Sequence, residues 1–189
     1  MLFEDIIGTP SFGTRESSLI KAECSQFLKE SAGLPLLKPL PSTYLPFQKV
    51  KVRQQKRNDV VGEIFNEAFR EKFTNLRQRA VFTYTQPPLV ESQQELFYVF
   101  PINGYHFLYS KEVTNSSHDY RRVVDTLFEH FGDSLKASEV VTDMLKYTYS
   151  STNLREGIES HAEVILYGIP YYYAVKATAV NGYTSLFDV

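Results

Sequence analysis

Lys49-Val50-Lys51-Val52-Arg53 alternates cations with valines, and Lys56 and Arg57 follow after two glutamines. In an extended chain the three cations of the first run share one face and the valines the other. Such a face can contact phosphates. It can equally dock on the carboxylates of an acidic protein surface. Nearby aromatics are limited to Tyr44 and Phe47, which gives base stacking little to work with. A second feature is Tyr171-Tyr172-Tyr173. Strand alternation places Tyr171 and Tyr173 on one side, so one face is expected to meet the core and the other a partner. The expected binding residues are therefore Lys49, Lys51, Arg53, Lys56, Arg57, Tyr171 and Tyr173. The same residues also fit a solvated charged ribbon beside a core-edge strand whose hydroxyls reach water.

Other chemistry finds little support. The nine glycines form no G-x-G-x-x-G and no phosphate-binding P-loop. There is no G-x-S-x-G elbow and no H-E-x-x-H. His118 and His130 fall about 18 Å apart along one expected helix and cannot share a metal. His106 and His161 read as surface or cap residues. The single Cys24 excludes a disulfide framework and a cysteine-based zinc cluster. It lies on the apolar face of the first expected helix, so it reads as a small core residue. The acidic pairs Glu156/Glu159 and Asp125/Glu129 read as solvated helix faces, with nothing nearby to tune an acid. No catalytic residue, metal site or cofactor is expected.

The chain has 189 residues, 43% of them hydrophobic and 22% charged, and its net charge is −2. No stretch reaches the roughly 20 apolar residues of a membrane helix. Met1–Ile7 is acidic at Glu4 and Asp5 and does not read as a secretory signal. The small net charge hides an asymmetry. Residues 49–79 carry nine Lys/Arg against four Asp/Glu, whereas residues 80–189 carry seven against thirteen. A +5 segment thus faces a −6 body, a distribution suited to nucleic acid or to the body of a neighbouring copy. Different complementary patches give head-to-tail contacts, which close into rings or run as filaments.

The elements that carry these residues follow from periodicity. Thr14 caps a helix to about Ser31, with Ile20, Cys24, Phe27 and Leu28 on one face. Four prolines between residues 34 and 47 predict an extended stretch outside any central sheet. Residues 34–58 read as a proline-rich basic arm or edge ribbon. Val61, Ile64, Phe65, Ala68 and Phe69 define an amphipathic helix capped by Asn58 or Asp59. Arg77–Thr85 shows strand period. Leu96–Ile102 and Tyr105–Val113 flank Asn103-Gly104, which predicts a hairpin with a type I′ turn. Two helices follow, broken at Gly132, then a short helix around Asn153–Glu159. Strands Ala162–Tyr167 and Tyr171–Val180 close the chain. The expected class is α+β: a mainly antiparallel sheet of about five strands with packed helices, plus an extended N-terminal arm. The expected organisation is a helical segment 1–33, the arm 34–58 and a core domain 59–189.

Two resemblances bear on function. Tyr149-Ser150-Ser151-Thr152 followed by Ala162-Glu163-Val164-Ile165-Leu166 resembles the Ser-Thr-Ser strand of mono-ADP-ribosyltransferases. That family implies an early-strand arginine, for which Arg77 or Arg79 is available. Its catalytic E-x-E or Q-x-E pattern has no counterpart after residue 163. Separately, four runs resemble proteins of large tailed bacteriophages: Leu76–Phe82, Phe97–Tyr105, Leu145–Tyr149 and Ala162–Tyr171. This implies a ring-forming virion component of neck, connector, tail-terminator or tail-completion type, and supplies no functional residue. The expected function is a non-enzymatic virion assembly protein, a homo-oligomer that also contacts other virion proteins and no membrane. The alternative is an intracellular phage effector that binds nucleic acid or ADP-ribosylates a target.

Overall fold

The computed structural model describes residues 12–52, 60–180 and 183, without the side chain of Ser134. Over these residues the chain is α+β, with seven helices and two antiparallel sheets. The order is α1 (Thr14–Glu23), α2 (Ser25–Glu30), β1 (Leu37–Pro41), β2 (Phe47–Lys51), α3 (Val60–Ala68), α4 (Leu76–Arg79), β3 (Val81–Thr83) and β4 (Gln94–Pro101). Then come β5 (His106–Tyr109), α5 (Ser116–Phe131), α6 (Ser134–Thr148), α7 (Leu154–Glu159), β6 (Val164–Tyr167) and β7 (Tyr171–Lys176). Seven strands replace the expected five or so, because the proline-rich stretch adds two. No helix among the described residues is long and apolar enough to cross a membrane.

One sheet has the order β1-β4-β7-β2, the other β3-β6-β5. A bent two-stranded ribbon links them. β4 pairs with β7 in the first sheet, and their continuations β5 and β6 pair in the second. Both strands turn the corner together, at Ile102–Tyr105 and at Gly168–Pro170. The Asn103-Gly104 hairpin expected from sequence is therefore a corner between sheets, since β4 and β5 do not pair with each other. Only Gly104 has positive φ, +88°, where a type I′ turn needs two such residues. The corner is held by α1 and α2. Asn103 N–H donates to the Glu23 carbonyl (2.7 Å), and Asn103 Oδ1 accepts from Gln26 N–H (2.9 Å). The same contacts break the single expected helix into two at Cys24.

Residues 34–52 are not a free arm. β1 and β2 form the two edges of the four-stranded sheet. Pro39 and Pro41 fit there because, past a single bridge from Leu37 to Tyr84, β1 pairs only with β4. Leu36, Leu37 and Leu40 are buried, and Leu36 and Leu40 join Ile20, Cys24 and Phe27 in one core cluster. The N-terminal helices, the edge strands and the later strands thus share a single core. Cys24 is fully buried, its thiol against the Phe100 carbonyl, and burial with Glu23 beside it pushes the thiol up to about 12. It is a packed, unreactive thiol, as its position on the helix face suggested.

The second sheet separates two cores by its period of two. Val164 and Leu166 face the first cluster, Ile165 and Tyr167 the second. The second cluster is roofed by α3, α5 and α6 around Phe65, which meets Tyr120 and Tyr149 edge-on at 5.5 and 5.7 Å. The cap residues follow local chemistry. Asn115 accepts from His118 N–H and Asp133 from Leu135 N–H, while Gly132 takes φ +64° between the two helices.

One tight contact gives a direct stability test. A Cβ added at Gly157 of α7 would lie 2.7 Å from the Tyr109 ring, which is fully buried. Gly157→Ala gains about 1 kcal/mol of helix propensity but overpacks the core by about 1–3 kcal/mol. Urea denaturation should show net destabilisation. A gain in stability would mean that the Tyr109 ring yields freely.

Candidate functional site

The predicted binding residues Lys49, Lys51, Tyr171 and Tyr173 meet at the β2 edge. In register, Lys49 lies opposite Tyr173 and Lys51 opposite Tyr171. Lys49 Nζ sits 3.5 Å from the centre of the Tyr171 ring, and Phe47 stacks on Tyr173 at 5.3 Å. Both tyrosine hydroxyls donate to Glu23 Oε2 of α1, at 3.0 Å from Tyr171 and 2.7 Å from Tyr173. Burial and this carboxylate raise the Tyr173 phenol above its ordinary range. Tyr173 is 3% exposed. Its face, expected to meet a partner, is covered by the chain's own first helix. Tyr171 is half-buried, and Lys49 and Lys51 are exposed. Val50 points to the opposite face, paired with buried Tyr172. Arg53, Lys56 and Arg57 lie outside the described residues.

An acidic surface lies on the helical side of the molecule. α3 and α6 pack against each other and leave a groove of about 510 Å³. Among the described residues four carboxylates line it, Glu63 and Glu67 from α3 and Glu139 and Asp143 from α6, with Lys146 as the only lining cation. Asp143 pairs with Lys146 at 3.2 Å. Val60 and Leu135 line the groove at 52% and 75% exposure. The sequence places Glu139 and Asp143 in the acidic body of residues 80–189, but Glu63 and Glu67 inside the basic segment 49–79; the groove joins helices far apart in the chain.

No protein-family model, curated protein sequence or solved structure matches this chain.

A third site escaped sequence reasoning. Arg77, expected on a strand, lies in α4 and is 2% exposed; Glu163, just before β6, is 4% exposed. Arg77 Nη1 donates to Ser116 Oγ at 2.9 Å, and Nη2 donates to Ser117 Oγ. Ser116 N–H points at Glu163 Oε1 (3.4 Å). The guanidinium lies 4.1 Å from the Phe82 ring centre and 5.4 Å from that of Phe65. A cavity of about 330 Å³ reaches this cluster, lined also by Lys38, Tyr84 and Asn115. The sequence signals were a carboxylate directly before a fully buried strand and the naming of Arg77 and Glu163 in the ADP-ribosyltransferase resemblance. Arg77 and Glu163 line the same cavity, but Ser150, Ser151 and Thr152 do not. The constellation suggested by the ADP-ribosyltransferase resemblance is therefore not assembled in this cavity.

Burial raises the Glu163 carboxyl above the usual range, opposed by hydrogen bonds from Ser116 and by the Arg77 charge. A group with a raised folded-state pKa adds stability below its ordinary value and loses it as pH rises through the folded value. Glu163→Gln removes that titration and keeps an acceptor for Ser116. The stability of Glu163→Gln relative to the parent chain should rise as pH increases above the ordinary carboxylate range of about 4. Urea midpoints over that rise in pH check it, and a flat difference would contradict it.

Two further ion pairs flank α7 at the surface. Glu156 pairs with Lys111 at 2.5 Å, which with the Tyr109 hydroxyl holds its carboxyl below the usual range; Glu159 pairs with Arg155 at 2.7 Å. Among the described residues no cluster of three or more His, Cys, Asp or Glu could hold a metal.

Proposed function

We propose that the protein is a non-enzymatic assembly component that associates head to tail, the basic β2 edge of one copy seating on the acidic α3–α6 groove of the next. The observation that carries this reading is the pairing of two unlike patches on one chain. Lys49 and Lys51 stand exposed on an edge strand with no further strand beside it among the described residues. Four carboxylates and two exposed apolar side chains line the groove. Lysines on an edge strand discourage indiscriminate strand pairing, so the partner of this edge is selected by charge. The near-zero total charge leaves little long-range repulsion between copies. Contact between different patches is heterologous and closes into a ring when the rotation allows. The resemblance to tailed-phage virion proteins adds the setting, a neck or tail ring within a virion.

Light scattering on the full chain tests this. The mass should rise with protein concentration from monomer to a fixed oligomer, and fall back in about 0.5 M salt, where exposed charges are screened. A chain that stays monomeric at high concentration and low salt overturns the reading. So does a β2 edge that binds labelled oligonucleotide while the chain stays monomeric.

A further inference from the structure

We infer that the cavity between β1, β3 and the start of α5 is a binding site for a small phosphate-bearing ligand. It uses none of the residues of the β2 edge or of the α3–α6 groove, and so stands apart from the assembly reading. Among the described residues two cations, Lys38 and Arg77, and one carboxylate, Glu163, line it. The charges of these three sum to plus one with Glu163 ionised and plus two with it protonated. Lys38 Nζ is placed at the Phe82 carbonyl (2.8 Å), and Arg77 is fixed by the two serines and by the Phe82 ring.

Directional donors accompany the charge. Ser117 Oγ accepts from Arg77, and no acceptor among the described residues takes its own proton. Asn115 Oδ1 accepts from His118 N–H, which leaves its amide N–H₂ without a partner among the described residues. Both residues line the cavity and are half-buried. A tetrahedral oxyanion is the ligand that takes hydroxyl and amide donors together with two fixed cations. The volume, about 330 Å³, suits a phosphate with a small organic group attached. Two nearly fully buried ionisable side chains are costly in a core that apolar residues could fill. Their lining a cavity rather than a sealed interior marks a binding site.

Glu163 gives the site a pH response. The groups that act on it are Arg77 from α4, Lys38 from β1, Ser116 from α5 and, at the end of α6, Tyr149, whose phenol lies high. Ionised Glu163 repels the oxyanion, and the protonated carboxyl does not.

Calorimetric titration of the full chain with sulfate, whose charge is constant across neutral pH, tests the site. Sulfate should bind more tightly as pH falls from about 8 to about 5. Lys38→Gln and Ser117→Ala, both at half-buried positions, should each weaken it by about 10-fold. Glu163→Gln should bind several-fold more tightly at neutral pH and lose the pH dependence. Inorganic phosphate and ribose 5-phosphate then separate the sources. Tighter binding of the ester identifies an organic phosphate, and equal binding identifies free phosphate. Absence of sulfate binding, or binding that Lys38→Gln and Ser117→Ala leave unchanged in folded protein, overturns the proposal. The titration reads the same in monomer and oligomer, so failure of either proposal leaves the other standing.

Discussion

Arg77→Met should lower the unfolding free energy by about 2–4 kcal/mol, because it leaves the Ser116 and Ser117 hydroxyls without their buried donor and takes a positive charge away from Glu163. Stabilities of domains this size are about 5–15 kcal/mol, so the loss is a large share of the whole. Arg77 is 2% exposed and Glu163 4% exposed, so water can offer either group little help. Met matches the length of the arginine stem, so the variant removes the guanidinium and its contacts with the Phe82 and Phe65 rings and keeps the volume of the stem. The double variant Arg77→Met/Glu163→Leu should recover part of the loss, since it removes both buried ionisable groups and leaves neither without the other's charge. Urea denaturation of the four proteins gives the coupling directly. A single-variant loss under about 1 kcal/mol, or a double variant no better than the sum of its singles, would mean that Glu163 is not held by Arg77.

The sequence made some elements legible and hid others for definable reasons. α3, α5 and α6 announce themselves by apolar spacing and by signals at Gly132 and Asp133 that act within one turn of chain, whereas the cap expected at Ser116 or Ser117 is Asn115. Strands β6 and β7 were visible as apolar runs broken at Gly168-Ile169-Pro170. Asn103-Gly104 misled because a turn dipeptide specifies a reversal, not which strands pair afterwards. Here α1 and α2 take the turn's hydrogen bonds, and β4 and β5 are claimed by different sheets. The prolines of residues 34–47 excluded a central strand and left an arm or an edge ribbon open; β1 and β2 are edge strands, and they join the core that the expected organisation kept apart from them. Lys49 and Lys51 were readable as an exposed cationic face. Glu23, which takes both Tyr171 and Tyr173, was not, because it lies about 150 residues away in the chain. The Arg77–Glu163 cavity is assembled from β1, α4, β3 and the start of α5, and no local pattern encodes it.

Reversing either patch should abolish self-association. Lys49→Glu/Lys51→Glu places two acids against the acidic groove, and Glu63→Lys/Glu139→Lys places two bases against the basic edge. Like charges brought together at an interface cost several kcal/mol, so each variant should associate at least about 100-fold more weakly than the parent chain. All four positions are surface sites, and the expected change in fold stability is within about 0.5 kcal/mol. The informative property is rescue. The edge variant keeps an intact groove and the groove variant an intact edge, so each offers the other two matched contacts. Salt should weaken the rescued complex as it weakens the parent.

The most direct measurement is therefore sedimentation velocity of the two charge-reversed variants, alone and mixed in equal amounts. Head-to-tail assembly predicts that each variant alone sediments as a monomer and that the mixture associates. Variants that associate alone as the parent does, or a mixture that stays monomeric while the parent forms oligomers, would contradict it.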